Sequence, residues 1–406
     1  MSKQAQVGVS DIVKIELVGA GGTKRQGITG QIIEIHIFED IESSFMTAQI
    51  TMQDAINLVE SFPIIGEEKI ELTLKRSGSG EKLYNYQFAV HGINPHSTDS
   101  QGKQQVYVLL CSSEEAVKDS SLLISKGYKL TYDMMIRNIL TEYLGSTKPF
   151  ISEPTKGIQE YTVPSLKPFE AIEAMRMRSV SMLSKSSTYC FFENYNGFNF
   201  VTLESLFKQM PNKVYDYKHH GSPNLNKDMD DQIISFKNTH RANKMSDVEN
   251  GALATKTYSF DIRTKKFDSK DYSYASEGSS FSFSGTSQPY TSTFASKYGN
   301  KPAKNFFIIK DGGSLPTYHE ETVGVREAYA TMASAIVVQM LLYGDFDLCA
   351  GDVIGMQVAT MDGLTSVDKE DTVLSGNYVV TKVHHIFING ERKTHTMSVE
   401  MIKGNY

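Results

Sequence analysis

Short runs of alternating apolar and polar residues, separated by turn-forming residues, fill the first quarter of this chain. Residues 12–17 alternate as a half-buried strand does. Gly19-Ala20-Gly21-Gly22 follows. A phosphate-binding glycine loop must open a helix. Here Ile28, Ile32, Ile33, Ile35 and Ile37 continue a strand pattern instead, so the glycines predict a hairpin turn. Strands over 32–38 and 45–52 are joined by the acidic turn Glu39-Asp40-Ile41-Glu42-Ser43. Asp54 suits the N-cap of a short apolar run over 55–59. Three more strand patterns then lie at 66–74, 86–93 and 105–111.

The same three-strand pattern recurs at the far end. Residues 351–358, 377–386 and 396–402 follow one another, with Asn389-Gly390 as the turn of the last pair. Both middle strands carry a Val-His near their ends, Val90-His91 and Val383-His384, and both last strands are apolar. Each set follows an apolar run read as helical, 55–59 in one and 335–343 in the other. The pattern predicts one β-module used twice.

Between the copies the periodicity changes. Helices are expected over 114–117, over 131–144 with Gly145 ending it, and over 168–182. In the last of these Phe169, Ile172, Met175 and Met182 form a core-facing stripe. Asn194-Tyr195-Asn196-Gly197 sits between strands at 188–193 and 198–203, a hairpin signal. Short strands are expected at 233–237 and 305–310. The Ser- and Tyr-rich stretch 268–300 lacks core periodicity and reads as an extended loop or arm. The longest helix is expected over 321–343, ended by Gly344.

These elements predict an α+β chain with two similar antiparallel β-barrels, a smaller α+β domain and an inserted long helix. The expected division is 1–113 for the first barrel and 114–231 for the α+β domain with a polar linker. Residues 232–310 supply strands of the second barrel around the loop 268–300, 311–345 the helix insertion, and 346–406 the rest of that barrel. At 406 residues several domains are expected, because single cores rarely grow past about 250–300 residues. The net charge of −6 argues against a nucleic-acid-binding surface. Three sparse cysteines, Cys111, Cys190 and Cys349, read as buried thiols of a cytosolically folded protein. No signal-type run and no membrane span are expected.

Candidate chemistry is thin. His384 and His385 are adjacent in a strand and face opposite ways, and His395 on the next strand could approach one of them. A core histidine is the favoured reading of each. His219-His220 has no Cys or carboxylate at zinc spacing, and His319-Glu320-Glu321 lacks the second His of a protease helix. Cys190, between Tyr189 and Phe191, reads as an inert thiol. Asp230-Asp231 and Glu320-Glu321 read as solvated acidic pairs. No catalytic residue, metal site or cofactor is expected.

Three segments together resemble one family. They are Phe38-Glu39-Asp40-Ile41 with 48–58 and 63–68; 161–172 with 191–198; and 344–354 with the terminal hairpin. Their order and spacing resemble the central hub protein of contractile phage tail baseplates, the T4-like hub family. The N-terminal half of type VI secretion spike proteins is a more distant likeness. The resemblance implies a virion tail protein, assembled in the host cytoplasm, that is structural rather than enzymatic. It implies a homotrimer whose six barrels form a pseudo-sixfold ring with a DNA channel. It also implies a central spike protein, a tail tube protein and baseplate wedge proteins as partners, without specific nucleic-acid binding or membrane insertion. An acidic channel lining is expected from the net charge and from acidic loops such as 39–42. A tail-associated cell-wall or polysaccharide hydrolase, needing carboxylates such as Asp230, Asp231 or Glu320, is the alternative, and a host-receptor-binding tail protein a third.

Overall fold

A computed structural model of the chain describes residues 8–54, 58, 62, 64–76, 82–98, 105–184, 186–217, 231–241, 243–277, 283, 289–310, 318–359, 370–390 and 393–404. The class is α+β and mostly antiparallel strand. One 13-stranded sheet dominates, with two small sheets in the 114–217 region and a third further on.

The first half of the long sheet is built from β1 (Ser10–Val18), β2 (Arg25–Gly27), β3 (Ile32–Asp40), β4 (Thr47–Asp54), β5 (Lys69–Arg76), β6 (Leu83–Thr98) and β7 (Gln105–Ser112). The glycines after β1 form the expected turn, with the Gly22 amide bonded to the Gly19 carbonyl. Of the run 55–59 only Leu58 lies within the described residues; its amide donates to Asp54. Alternate residues of β1 and of β3 to β7, among them Ile15, Ile35, Ile50, Leu72 and Leu109, enter one core.

Residues 114–217 contain β8 (Ile124–Leu130), β9 (Phe150–Ser152), β10 (Gln159–Leu166), β11 (Tyr189–Asn194), β12 (Gly197–Thr202) and β13 (Lys213–Tyr217), with helices Glu114–Ser121, Tyr132–Asn138 and Pro168–Arg176. The hairpin β11–β12 turns at Tyr195-Asn196 as expected. The helix read over 168–182 is shorter. The Ser179 hydroxyl donates to the Met175 carbonyl, and the chain then turns so that Ser181 reaches the buried Glu153. Met182 consequently leaves the apolar stripe and is exposed.

The second half differs most from expectation. The long helix is His319–Ala333, and the rest of the apolar run is a strand, β18 (Ile336–Tyr343), lying between β14 (Ile233–Arg241) and β21 (Thr394–Lys403). Ile336-Val337-Val338 is β-branched, and β18 alternates buried and less buried positions, a period-2 pattern no helix would give. The strands β15 (Ala254–Asp261) and β17 (Lys304–Lys310) do not join the long sheet. They form a three-stranded sheet with β16 (Phe267–Ser273). The stretch read as a loop over 268–300 therefore holds β16 and the helices Tyr274–Glu277 and Ser292–Tyr298. Residues 278–282 and 284–288 lie outside the described residues, as do His219, His220 and Asp230. The long helix packs on β15, and Ala328, Tyr329 and Met332 reach the long sheet at Val353, Val379 and Ile402.

The remaining strands are β19 (Val353–Val358) and β20 (Gly376–Ile388). The neighbour order β3-β4-β7-β6-β5 in the first half recurs as β14-β18-β21-β20-β19 in the second, all antiparallel.

Candidate functional site at the seam of the long sheet

The two halves meet on one strand. β20 pairs with β21 along nearly its whole length. Its opposite edge is shared: Gly376–Val379 bonds β19, and Lys382–Ile388 bonds β3. The exchange of partner follows a bulge in the β20–β21 pairing between Val380 and Lys382. A bulge adds local twist, which turns the edge away from one partner and toward another.

Glu39, near the end of β3, fixes this junction. Its two carboxylate oxygens accept the amides of Tyr195, in the β11–β12 turn, and Ala350, in the loop before β19. The side chain is buried, which pushes its pKa up to about 8 against the pull of the two N–H donors. Read in sequence as part of an acidic turn, Glu39 is instead buried inside the junction. Gly351 follows Ala350 with φ +93°, and a Cβ there would stand 2.7 Å from the Phe192 ring. Two more buried glutamates hold the 114–217 unit, Glu193 against the first half and Glu153 within the unit. Glu193 accepts from the Met46 amide, from the Ser113 hydroxyl and from Lys148, whose ammonium also reaches Glu115 at 2.6 Å. Ser113 precedes the helix as expected, but its hydroxyl is spent on Glu193. Glu153 accepts from Ser181 and from the amide and hydroxyl of Thr202.

Histidines flank the seam on both faces of β20. His384 Nε2 lies 2.8 Å from Nδ1 of His36 on β3, and Glu34 lies 3.1 Å from the other His36 nitrogen. On the opposite face His385 Nδ1 lies 3.1 Å from His395 Nε2, and His395 Nδ1 is 2.8 Å from the Ser10 hydroxyl. His395 does approach one of the adjacent pair, as its strand position suggested. Burial pushes His384 and His385 down to about 4 and holds His395 well below its ordinary value. The rings of His384, His385 and His395 are therefore neutral at pH 7, one nitrogen donating and one accepting.

The sequence candidates for chemistry do not converge. Asp231 pairs with Lys213 at 2.8 Å. Cys190 lines a cleft with Arg176, Arg326 and Lys382. Burial raises its thiol to about 12, despite Arg176 nearby, so it is no nucleophile. The cations of that cleft are spent, Arg176 on Glu173, Arg326 on the Met177 carbonyl and Glu327, and Lys382 on Glu400. Among the described residues no three His, Cys, Asp or Glu side chains come together as a metal site, and no helix is long and apolar enough to cross a membrane. What the geometry offers is a rigid junction, built of side chains that bond backbone and one another.

No protein-family profile matches the sequence, and no curated protein matches it. Solved structures do. The prophage MuSo2 43 kDa tail protein from Shewanella oneidensis aligns with a TM-score of 0.57 at 9% identity, over 96% of this chain and 98% of the other. The tail protein from Neisseria meningitidis MC58 aligns with a TM-score of 0.56 at 6% identity, over 96% of each. At such identities the likeness is one of fold, and it runs from end to end: this chain has the fold of phage tail proteins.

Proposed function

We propose that this protein is a structural component of a phage-type tail, the hub that joins tail tube to central spike. The observation that carries the reading is the recurrence of β3-β4-β7-β6-β5 as β14-β18-β21-β20-β19. In this reading each half closes into a tube-like barrel, residues 1–113 forming one. The second uses β14 and β18–β21, while the 114–217 unit and the β15–β17 sheet are appendages. Three subunits then present six similar barrels, a ring compatible with a sixfold tube above and a threefold spike below. DNA passes through the opening without specific recognition, and wedge proteins bind outside. The protein is non-enzymatic. The end-to-end likeness to two tail proteins supports the tail assignment. The pairing of the seam's side chains with backbone and with one another supports a structural role over chemistry.

Mixing the purified protein with its spike partner and weighing the complex tests this. A 3:3 complex is expected. A stable 1:1 complex, or none, overturns the hub reading.

A further inference from the structure

The β16-β15-β17 sheet has one covered face and one bare one. Thr255, Thr257 and Ser259 of β15 are buried toward the long helix, which comes so close that a Cβ on Gly324 would stand 2.3 Å from the Thr255 hydroxyl. The opposite face carries Tyr258 and Phe260 of β15. In register beside them are Phe267 on β16 and Phe307 and Ile309 on β17. The Tyr258 ring stacks on Phe307 at 5.1 Å and on Phe267 at 5.7 Å. Phe307 is 77% exposed, Ile309 66% and Phe267 62%. Four exposed apolar side chains around the half-buried Tyr258 mark an interaction surface, and among the described residues β16 and β17 pair only with β15, leaving two open edges.

The charge around this face says what covers it. Residues 254–310 hold nine Lys and Arg against four Asp and Glu, whereas the rest of the chain holds thirty-two against forty-three. A basic rim, with Arg263, Lys265 and Lys266 exposed in the β15–β16 turn, therefore belongs to a molecule whose remainder is acidic. Aromatic rings and cations together also suit single-stranded nucleic acid. The register argues against it. Lys304 shares the covered side of β17 and pairs with Glu327 of the long helix. On the bare face Lys256 pairs with Asp271 at 3.3 Å. The cation that stands beside the rings, Lys256 over Tyr258 at 5.6 Å, is thus engaged by a carboxylate rather than free for phosphate.

We infer that the bare face of the β16-β15-β17 sheet docks onto an acidic surface of a second copy of this chain. The inference rests on the hub reading and deepens it. A cyclic trimer needs a head-to-tail contact between two different patches, so the acidic acceptor lies elsewhere on the chain than this basic-rimmed face.

Sedimentation equilibrium of the purified full-length protein tests the inference. The wild type is expected to associate with rising concentration, less so as NaCl rises from about 0.1 to about 0.5 M. Phe307→Glu with Ile309→Glu should weaken association by about a hundredfold, because a fully desolvated aromatic anchor is lost. Phe307→Ser should weaken it less, with circular dichroism unchanged, and serves if the double variant misfolds. A wild type that stays monomeric at every concentration overturns the inference, as does a folded variant that associates like the wild type. Tight binding of a fluorescent single-stranded oligonucleotide, lost in the variant, overturns it in favour of a nucleic-acid platform. If the double variant still forms a normal 3:3 complex with the spike, this face is not the contact and the hub stands. If not even the wild type forms that complex, the hub reading itself fails.

Discussion

The two halves of the long sheet share a strand order and differ in what their connections carry. In the first half β3 and β4 are joined by a turn of a few residues, 41–46. In the second half the corresponding strands, β14 and β18, are separated by residues 242–335, which hold the three-stranded sheet and the long helix. The pairing survives because a hairpin's strands are held by their ladder and by the core beneath it, and a longer connection costs little in closure entropy. The strands added beyond β5 and β19 differ too. β1 runs antiparallel to β5, while β13, arriving from the 114–217 unit, runs parallel to β19. A repeated sheet thus keeps its inner order and lets its edges and connections diverge.

The comparison can be broken most severely at its joint. Glu39→Ala should cost about 3–5 kcal/mol in denaturant unfolding, because two buried amides lose their acceptor. An unchanged midpoint would mean that the halves do not depend on this carboxylate. Next come matched core positions, Leu109 of β7 and Val399 of β21, both fully buried. Leu109→Ala should cost about 2–5 kcal/mol, and Val399→Ala about 1–3 kcal/mol. Hydrogen exchange should show each loosening its own half first; uniform loosening would mean that the halves unfold as one unit.

Acid should separate the halves further. His384, His385 and His395 titrate lower when folded than when unfolded. The unfolded chain therefore takes up protons first. The stability these neutral rings provide is whole above about 6.5 and is lost as pH falls toward about 4. The matching histidine of the first module, His91, is exposed. Melting temperature should thus fall between pH 7 and 5, with exchange rising in β20 and β21 before β5 and β6. His385→Gln should flatten that fall, and an unaltered pH profile would argue against it. Glu39 and Glu204, pushed up by burial to about 8 and about 7, act oppositely, their stabilisation fading as pH rises through those values. The smallest effect is expected from Lys82→Ala. Its partner Asp347 and Lys82 itself are both largely exposed, so the melting curve should not move.

How much of this was written in the sequence varies with how local the signal is. The Gly19–Gly22 turn, the Asn194–Gly197 hairpin and the strands around β6 and β20 depend on turn chemistry and alternation within a few residues. The run 335–343 reads as helix because it continues the apolar pattern of the helix before it without a Gly or Pro; only Ile336-Val337-Val338 points to the strand that forms. The sequence of β16 buries a single side chain well, Tyr272, so its strand exists because β15 offers a ladder, which no local pattern reveals. Nor could the role of Glu39, Glu193 or Glu153 be seen, since their partners lie far away along the chain. The histidine pairing of β20 was half legible: strand alternation separated His384 from His385, but His36 enters only through the β3–β20 ladder.

That ladder also has a direction. Seven residue pairs join β3 to β20, and antiparallel hydrogen bonds run across the strands. A pull along the strand axis would shear all of these bonds at once, whereas a pull across it would peel them one after another. The seam is therefore mechanically anisotropic, strong lengthwise and weak sideways. Stretched between the end of β3 and the end of β20 in a single-molecule experiment, the protein should rupture at a higher force than when its halves are drawn apart broadside, although its equilibrium stability is the same in both.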